Sequence, residues 1–386
     1  MRKMRFSQLA FIVTDDCNFR CSYCPQRKEK NYMKRSTIEK AVTFFYPFLK
    51  DQACIVFYGG EPLLAFDTIK YIVFLLQEKD RERKKRLGFS ITTNGSLITD
   101  EMLQFFDSHR FDVMLSFDGL TQDMSRKSDT LIPTRELAQR LQKGAYPGIK
   151  FSTNSVFTPT TVKHLSASLQ YIVESGVMDI CFALAEDTYW DDAALMELVE
   201  ELTRLSDFLV SYYKEKGTIP VNNFKRVKLR PKNNITFSCA AGFRRMAITP
   251  GENVWGCSAF HDYLKSREEN PDFQTYSFGK LAEFIKYHEI IYPRVLFNYT
   301  SLKQEYFFTE NQHCFLCPEV NSCCVCPAGA AYATSFIGKI SPWVCNINGI
   351  LKKEKNRFFQ EIDRIKPIMM NFIYVYIFLD FLKFIL

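Results

Sequence analysis

The sequence predicts an α/β protein wound round a parallel sheet, and three observations lead there. Apolar, β-branched runs of strand length recur through the first half at a period of roughly 30–45 residues. Stretches with helical apolar spacing lie between them. Polar or glycine-rich clusters close several of these runs, at the carboxyl ends where parallel sheets carry their ligands. An open barrel and a doubly wound sheet both satisfy these observations.

In chain order the strand-like runs are LAFIVT (Leu9–Thr14), ACIVFY (Ala53–Tyr58), GFSITT (Gly88–Thr93), FDVMLSF (Phe111–Phe117), IKFSTNSVF (Ile149–Phe157) and MDICFAL (Met178–Leu184). Between the first two, STIEKAVTFFYPFL opens on Ser36 and Glu39, the spacing of a capping box. TDEMLQFF, from Thr99, precedes the fourth run, and TVKHLSASLQYIVESG, after Pro159, precedes the sixth. From Arg230 to Cys345 the periodicity weakens and eight cysteines appear, which reads as a small unit organised by metal. We therefore expect a core over 1–225, a cysteine-rich domain over 226–350 and a C-terminal helical, apolar tail over 351–386. Beyond Pro367 only Asn371, Asp380 and Lys383 interrupt the apolar text, which is barely long enough to span a bilayer. A packed terminal helix and docking to a membrane or partner are both open.

At 386 residues the chain can bury a large core with a smaller one beside it. A net charge of +7 is too mild to indicate nucleic acid, and the basic run KDRERKKR (Lys79–Arg86) reads as a solvated helix end. The opening MRKMRFSQLA has no apolar stretch or cleavage site of the secretory kind. Thirteen cysteines in a cytoplasmic chain point to metal or redox chemistry, not disulfides.

After the first strand, Cys17, Cys21 and Cys24 stand in CNFRCSYC. A lone C-x-x-C suits a zinc knuckle or a redox dithiol. Three thiolates at this spacing can hold three irons of a [4Fe-4S] cluster and leave the fourth open to a substrate or cofactor. The loop resembles the signature of the radical S-adenosylmethionine (radical SAM) superfamily. So do GGEP within FYGGEPLL, TTNGS and SFDGL, each at a strand's carboxyl end and in the family's order. The resemblance implies a partial (β/α)6 TIM-like barrel, with Cys17, Cys21 and Cys24 on the cluster and Tyr23 near the adenine of S-adenosyl-L-methionine. It places Gly60 and Glu61 at the methionine end, Ser116 at the sugar or amino-acid part, and Arg126 near the cofactor carboxylate. Gln122 stands where the family often has histidine, and Asp123 follows it. Leu184 reads as a core leucine more readily than as adenine packing. The implied chemistry is reductive: the cofactor yields methionine and a 5′-deoxyadenosyl radical, which takes a hydrogen atom from the substrate.

The later cysteines resemble the SPASM extension of that superfamily, which holds two auxiliary [4Fe-4S] clusters. On that wiring Cys314, Cys317, Cys323 and Cys345 close one cluster, and Cys239, Cys257 and Cys326 hold the other, leaving an iron for a substrate thiolate unless Cys324 fills it. Cys324 and Cys326 compete for one ligand position, because two residues, not three, separate Cys323 from Cys326. Cys54 and Cys181 read as buried small hydrophobes, His313 as a bystander to Cys314, and His261 as a residue without an identifiable partner. The resemblance implies a peptide or protein maturase that forms a thioether or other crosslink in a ribosomally made precursor, with flavodoxin or ferredoxin as electron donor. A formylglycine-forming anaerobic sulfatase maturase is the alternative, disfavoured because Ser258, not an acid, follows Cys257. A zinc-binding scaffold is the non-enzymatic alternative. The short stretch before Cys17 leaves no room for a leader-binding domain, so a leader would dock on the barrel, the second domain, the tail or a separate protein.

Overall fold

A computed structural model of the chain describes residues 4–81, 85–226, 239–265, 267–310, 313–321, 323 and 325–383, the last eighteen of these as helical backbone alone. Cys324, the stretch 227–238 and the side chains of the apolar tail lie outside the described residues. Strands β1 (Phe6–Thr14), β2 (Leu49–Gly59), β3 (Gly88–Thr93), β4 (Phe111–Ser116), β5 (Lys150–Phe157) and β6 (Ile180–Leu184) alternate with helices. These are α1 (Arg35–Phe45), α2 (Phe66–Lys79), α3 (Asp100–Ser108), the pair α4 (Gln122–Ser125) and α5 (Leu131–Gln142), α6 (Leu165–Glu174) and α7 (Asp192–Lys216). The six strands lie side by side in chain order, all parallel. A doubly wound sheet would reverse its order at a switch point, so the sequential order decides for the open, partial barrel.

The two faces of this sheet differ, and the pleat explains how. One face carries Ile55, Phe57, Ile91, Val113 and Leu115, all buried, and meets the helices. The other carries Cys54, Val56, Tyr58, Ser90, Thr92, Met114, Ser116, Asn154 and Cys181, all half-buried. That second face is the barrel's concave side, and its small and polar residues leave room for ligands where a closed barrel would be packed solid. Cys54 and Cys181 therefore belong to the concave lining and are not buried in the core, as their apolar neighbours suggested. The capping-box expectation also fails. Lys34 is the N-cap of α1, with no side-chain cap, so Ser36 lies inside the helix. Glu39 instead accepts from the Tyr71 hydroxyl at 2.6 Å and pairs with Arg35.

The second half extends the same sheet. β7 (Arg245–Ile248) pairs parallel to β1, and β8 (Asn253–Trp255) and β9 (Ser277–Lys280) follow antiparallel. Helices α8 (Ser258–Leu264), α9 (Pro271–Tyr276), α10 (Leu281–Thr300), α11 (Pro327–Thr334) and α12 (Pro342–Lys383) complete it. Phe260, Tyr276, Phe278 and Tyr299 pack ring against ring beneath β8. α12 begins at Pro342, carries Cys345, and buries Phe358 and Ile362 with Leu202 and Leu205 of α7. Among the described residues no helix is long and apolar enough to cross a membrane.

Candidate active site

The cysteine loop leaves β1 at Thr14, and two glycines hold its root. Gly60 N–H donates to Thr14 O at 3.1 Å and Glu61 N–H to Asp16 O at 2.8 Å. Gly59 has φ +146°, and a Cβ on Gly60 would sit 2.1 Å from Asp16 O. These glycines let β2 abut the cysteine loop, a close approach of backbone to backbone. A Gly60→Ala variant is expected to lose about 1–3 kcal/mol of stability, the usual range for overpacking. Thermal melting of the apo chain checks this.

Glu61 is buried, and its carboxylate is already engaged. Oε1 accepts from Leu63 N–H at 3.1 Å and Thr93 Oγ1 at 2.7 Å, and Oε2 from Asn94 N–H at 2.7 Å. Burial pushes its pKa up, against these hydrogen bonds and the charge of Arg126. A carboxylate has about four acceptor directions, so one at Oε2 remains. Asn94 also donates to Asn18 Oδ1 at 2.9 Å, which ties TTNGS to the cysteine loop.

Across the mouth, Asp118 organises the other wall. It is fully buried. Arg126 Nε donates to its Oδ2 and Nη2 to its Oδ1, both at 2.9 Å. Tyr23 Oη donates to Oδ2 at 2.7 Å, and Val156 N–H to Oδ1 at 2.9 Å. The Arg126 guanidinium also lies 5.3 Å from the Tyr23 ring centre. Tyr23 and Arg126, assigned separately from the sequence, are thus joined through one acid that sequence reasoning did not single out. Its signal was within SFDGL, a charged residue closing an apolar strand. Gln122 takes the histidine's place by accepting from Asp118 N–H at 2.9 Å, and Asp123 caps α5 through Thr130 and Leu131 N–H. Ser116 stands at the end of β4 on the concave face, opposite Asn154.

Cys17, Cys21 and Cys24 lie near enough to feel one another's charge. Burial raises the Cys17 thiol and pushes Cys21 up to about 11, with Arg126 opposing it at Cys21. Lys28 Nζ donates to Cys24 Sγ at 2.7 Å. Three thiols on one loop with two cations beside them suit thiolate ligation of a cluster. Among the described residues no three Cys, His, Asp or Glu side chains converge closely enough to hold a single metal ion.

Comparison with known proteins agrees with this geometry. Residues 11–170 match the Radical SAM superfamily model. The chain thus carries a radical SAM domain, the domain of radical SAM enzymes, over residues 11–170. It is 26% identical over 194 residues to a cysteine-type anaerobic sulfatase-maturating enzyme of Clostridium perfringens, covering 47% of this chain and 52% of that one. It is 21% identical over 281 residues to the radical SAM cyclopropyl synthase TigE of Paramaledivibacter caminithermalis, covering 66% of this chain and 58% of that one. These matches therefore span about half the length of both relatives. Among solved structures, native anSMEcpe with bound AdoMet and Cp18Cys peptide superposes with a TM-score of 0.70 at 18% identity, covering 94% of this chain and 99% of that one. At that identity the likeness concerns the fold.

Cys239, Cys257 and Cys326 feel one another's charge, and so do Cys314, Cys317 and Cys345. The structure thus forms two separate groups. Burial pushes Cys239 up to about 12 and Cys345 up to about 11. Cys257 is the N-cap of α8, and Cys326 is the N-cap of α11, where its Sγ accepts from Gly329 N–H at 3.4 Å. Cys323 donates its N–H to Glu319 O. His313 is exposed beside Phe308.

His261 does have a partner. Its Nε2 lies 3.3 Å from Asp15 Oδ1, and Lys265 bridges Asp15 and Glu29, so α8 grips the base of the first cysteine loop. Together His261 and Lys265 hold the Asp15 carboxyl below its ordinary range in spite of its burial. The adjacent Asp262 accepts from Gln26 Nε2 at 3.1 Å and Tyr58 Oη at 3.2 Å, and burial raises its pKa.

A cavity of about 410 Å³ opens between β6, α11 and α12, with Pro25, Leu184, Glu186, Gly329 and Tyr332 among its lining. At this edge of the sheet, Asn223 does what a further strand would do. Its Oδ1 accepts from Phe182 N–H at 3.0 Å and its Nδ2 donates to Phe182 O at 2.9 Å. The loop after β6 is pinned by two indoles, Trp190 to Ala185 O at 2.8 Å and Trp343 to Glu186 O at 3.2 Å. Burial, reinforced by Asp187, pushes the Glu186 carboxyl up to about 7.

Proposed function

We propose that this enzyme matures a ribosomally made peptide or protein, taking a hydrogen atom from one residue and closing a thioether or other crosslink. One observation carries the reading. The same cavity is lined by Pro25, the neighbour of Cys24, and by Gly329, which donates to Cys326. A substrate seated there reaches both cysteine groups at once.

Cys17, Cys21 and Cys24 would hold the first cluster, with S-adenosylmethionine at its open iron between the Glu61 and Asp118 walls. Bound there, this pair would supply one-electron cleavage of a sulfonium carbon–sulfur bond and hydrogen-atom abstraction. The chain's own part is positional. The Asp118–Arg126–Tyr23 wall fixes an aromatic ring beside the site. The concave face shields it from bulk water, and the cavity brings the substrate's C–H bond into line. Cys239, Cys257 and Cys326 would hold an auxiliary cluster with a corner left for a substrate thiolate, its thiol proton lost to solvent, and that cluster would take up the second electron released as the carbon–sulfur bond closes; Cys314, Cys317, Cys323 and Cys345 would hold a second one. Flavodoxin or ferredoxin would deliver the electron.

The test is product mass after anaerobic turnover with cysteine-containing peptides. Loss of two hydrogen atoms supports a crosslink, and an unmodified peptide contradicts the reading. Cys257→Ala is expected to retain cofactor cleavage while peptide product falls at least about 100-fold, more than a lost supporting contact would cost. Deoxyadenosine assay and peptide mass on the same sample check it.

One observation favours formylglycine formation as a second reading. Asp262, on the helix that Cys257 begins, is a buried carboxylate with raised pKa facing the first cysteine loop, as a general base requires. Replacement of a substrate cysteine's sulfur by oxygen would select this reading.

A further inference from the structure

We propose that the cavity between β6 and α12 selects a cationic side chain, lysine or arginine, on the substrate next to the residue that reacts. This rests on the peptide reading above and adds to it what the peptide must carry.

The cavity is the size of a ligand pocket, and its chemistry is uneven. Phe182, Leu184, Ile347 and Leu351 give it apolar walls. Glu186 and Asp187 both line it, and no lysine or arginine does. Among the described residues the Glu186 carboxylate has no ion pair and no hydrogen-bond donor. Its Oε2 would lie 3.4 Å from a Cβ on Gly329, so it faces the start of α11 and Cys326. The Tyr332 hydroxyl, on the same lining, is buried without a hydrogen-bond partner.

Glu186 is half-buried; a carboxylate partly shielded from water and without a counter-charge is costly, and a partner that brings the charge recovers part of that cost. The occupant that matches both halves of the lining has an apolar stem ending in a cation. Lysine and arginine have that form. An acidic side chain would be repelled by two carboxylates, and a purely aliphatic one would leave Glu186 unpaired. The Trp343 bond to Glu186 O and the Trp190 bond to Ala185 O fix the loop, so Glu186 is held in place before any ligand arrives.

The test uses the reconstituted, anaerobic full-length protein and three pentapeptide amides, acetyl-Gly-Gly-X-Gly-Gly, with X lysine, norleucine or glutamine, titrated by calorimetry. The lysine peptide is expected to bind at least about tenfold more tightly than the other two. In Glu186→Gln/Asp187→Asn its affinity is expected to fall to that of the norleucine peptide, with norleucine binding unchanged as the folding control. Asp187→Asn alone, at an exposed position, is expected to lose part of the preference if the double variant folds poorly. Equal binding of lysine and norleucine by the wild type, equal binding of lysine and glutamine, or a lysine preference that survives in the double variant would overturn the proposal. The peptide reading has its own readout, the mass of modified product. Lysine preference with no product from any peptide refutes that reading alone, and product without lysine preference refutes this one alone.

Discussion

Cys21→Ala is expected to abolish formation of 5′-deoxyadenosine while leaving about two thirds of the iron in place, the share of two clusters out of the three proposed. Cys21 shares its loop with Cys17 and Cys24 and lies close enough to Arg126 to feel its charge. On the proposed wiring alanine removes one of three protein ligands, and two thiolates are too few to hold the cluster with its fourth iron open. Losing even a ligand's supporting hydrogen bond costs roughly 10–100-fold, and losing the ligand itself costs more. The later groups draw on other elements, α8, α11 and α12, and are expected to load normally. Iron and sulfide analysis beside a deoxyadenosine assay reads both halves. Deoxyadenosine at the wild-type rate would remove this loop from the chemistry.

Asp118→Asn is expected to cost about 3–5 kcal/mol of stability, the usual cost of breaking a buried ion pair from one side. The pair is shielded from solvent on both sides, with Asp118 wholly buried and Arg126 9% exposed, so solvent screening does little to soften the loss. Asparagine keeps the shape but leaves the Arg126 charge uncompensated and offers a poorer acceptor to Tyr23 and Val156. Cofactor cleavage is expected to fall with stability, because the Tyr23 ring loses its anchor. The double variant Asp118→Asn/Arg126→Met separates the two effects. With no unpaired charge it should recover most of the stability, while cleavage stays low. Melting temperature and deoxyadenosine yield, measured on all three proteins, decide it. A double variant as unstable as the single would contradict the ion-pair argument.

How much of this was legible follows from what each feature depends on. The barrel strands were legible because alternating burial writes a period into the text, and the observed β3 coincides with GFSITT. The choice between open barrel and doubly wound sheet was not, because strand order is set by packing between distant segments. Cys17, Cys21 and Cys24 could be read because one loop carries all three. The pairing of Asp15 with His261, 246 positions apart, could not, and neither could the grip of α8 on the cysteine loop. Asp118 was visible as a letter but not as a hub, since its partners Tyr23, Arg126 and Val156 come from three segments. Glu61 shows the reverse. The motif drew attention to it, yet most of its hydrogen-bonding capacity goes to fixing β3's end and the turn after β2. The Ser36–Glu39 spacing failed for a local reason: the helix started two residues earlier, and Glu39 found Tyr71.

The central claim is that three thiols on the loop after β1 hold a cluster whose open iron cleaves a sulfonium cofactor. Its most direct test is to incubate the anaerobically reconstituted full-length chain with dithionite and S-adenosylmethionine and to quantify products by chromatography. The account predicts 5′-deoxyadenosine and methionine in equal amounts; recovery of the cofactor intact, from protein with its iron and sulfide in place, would contradict it.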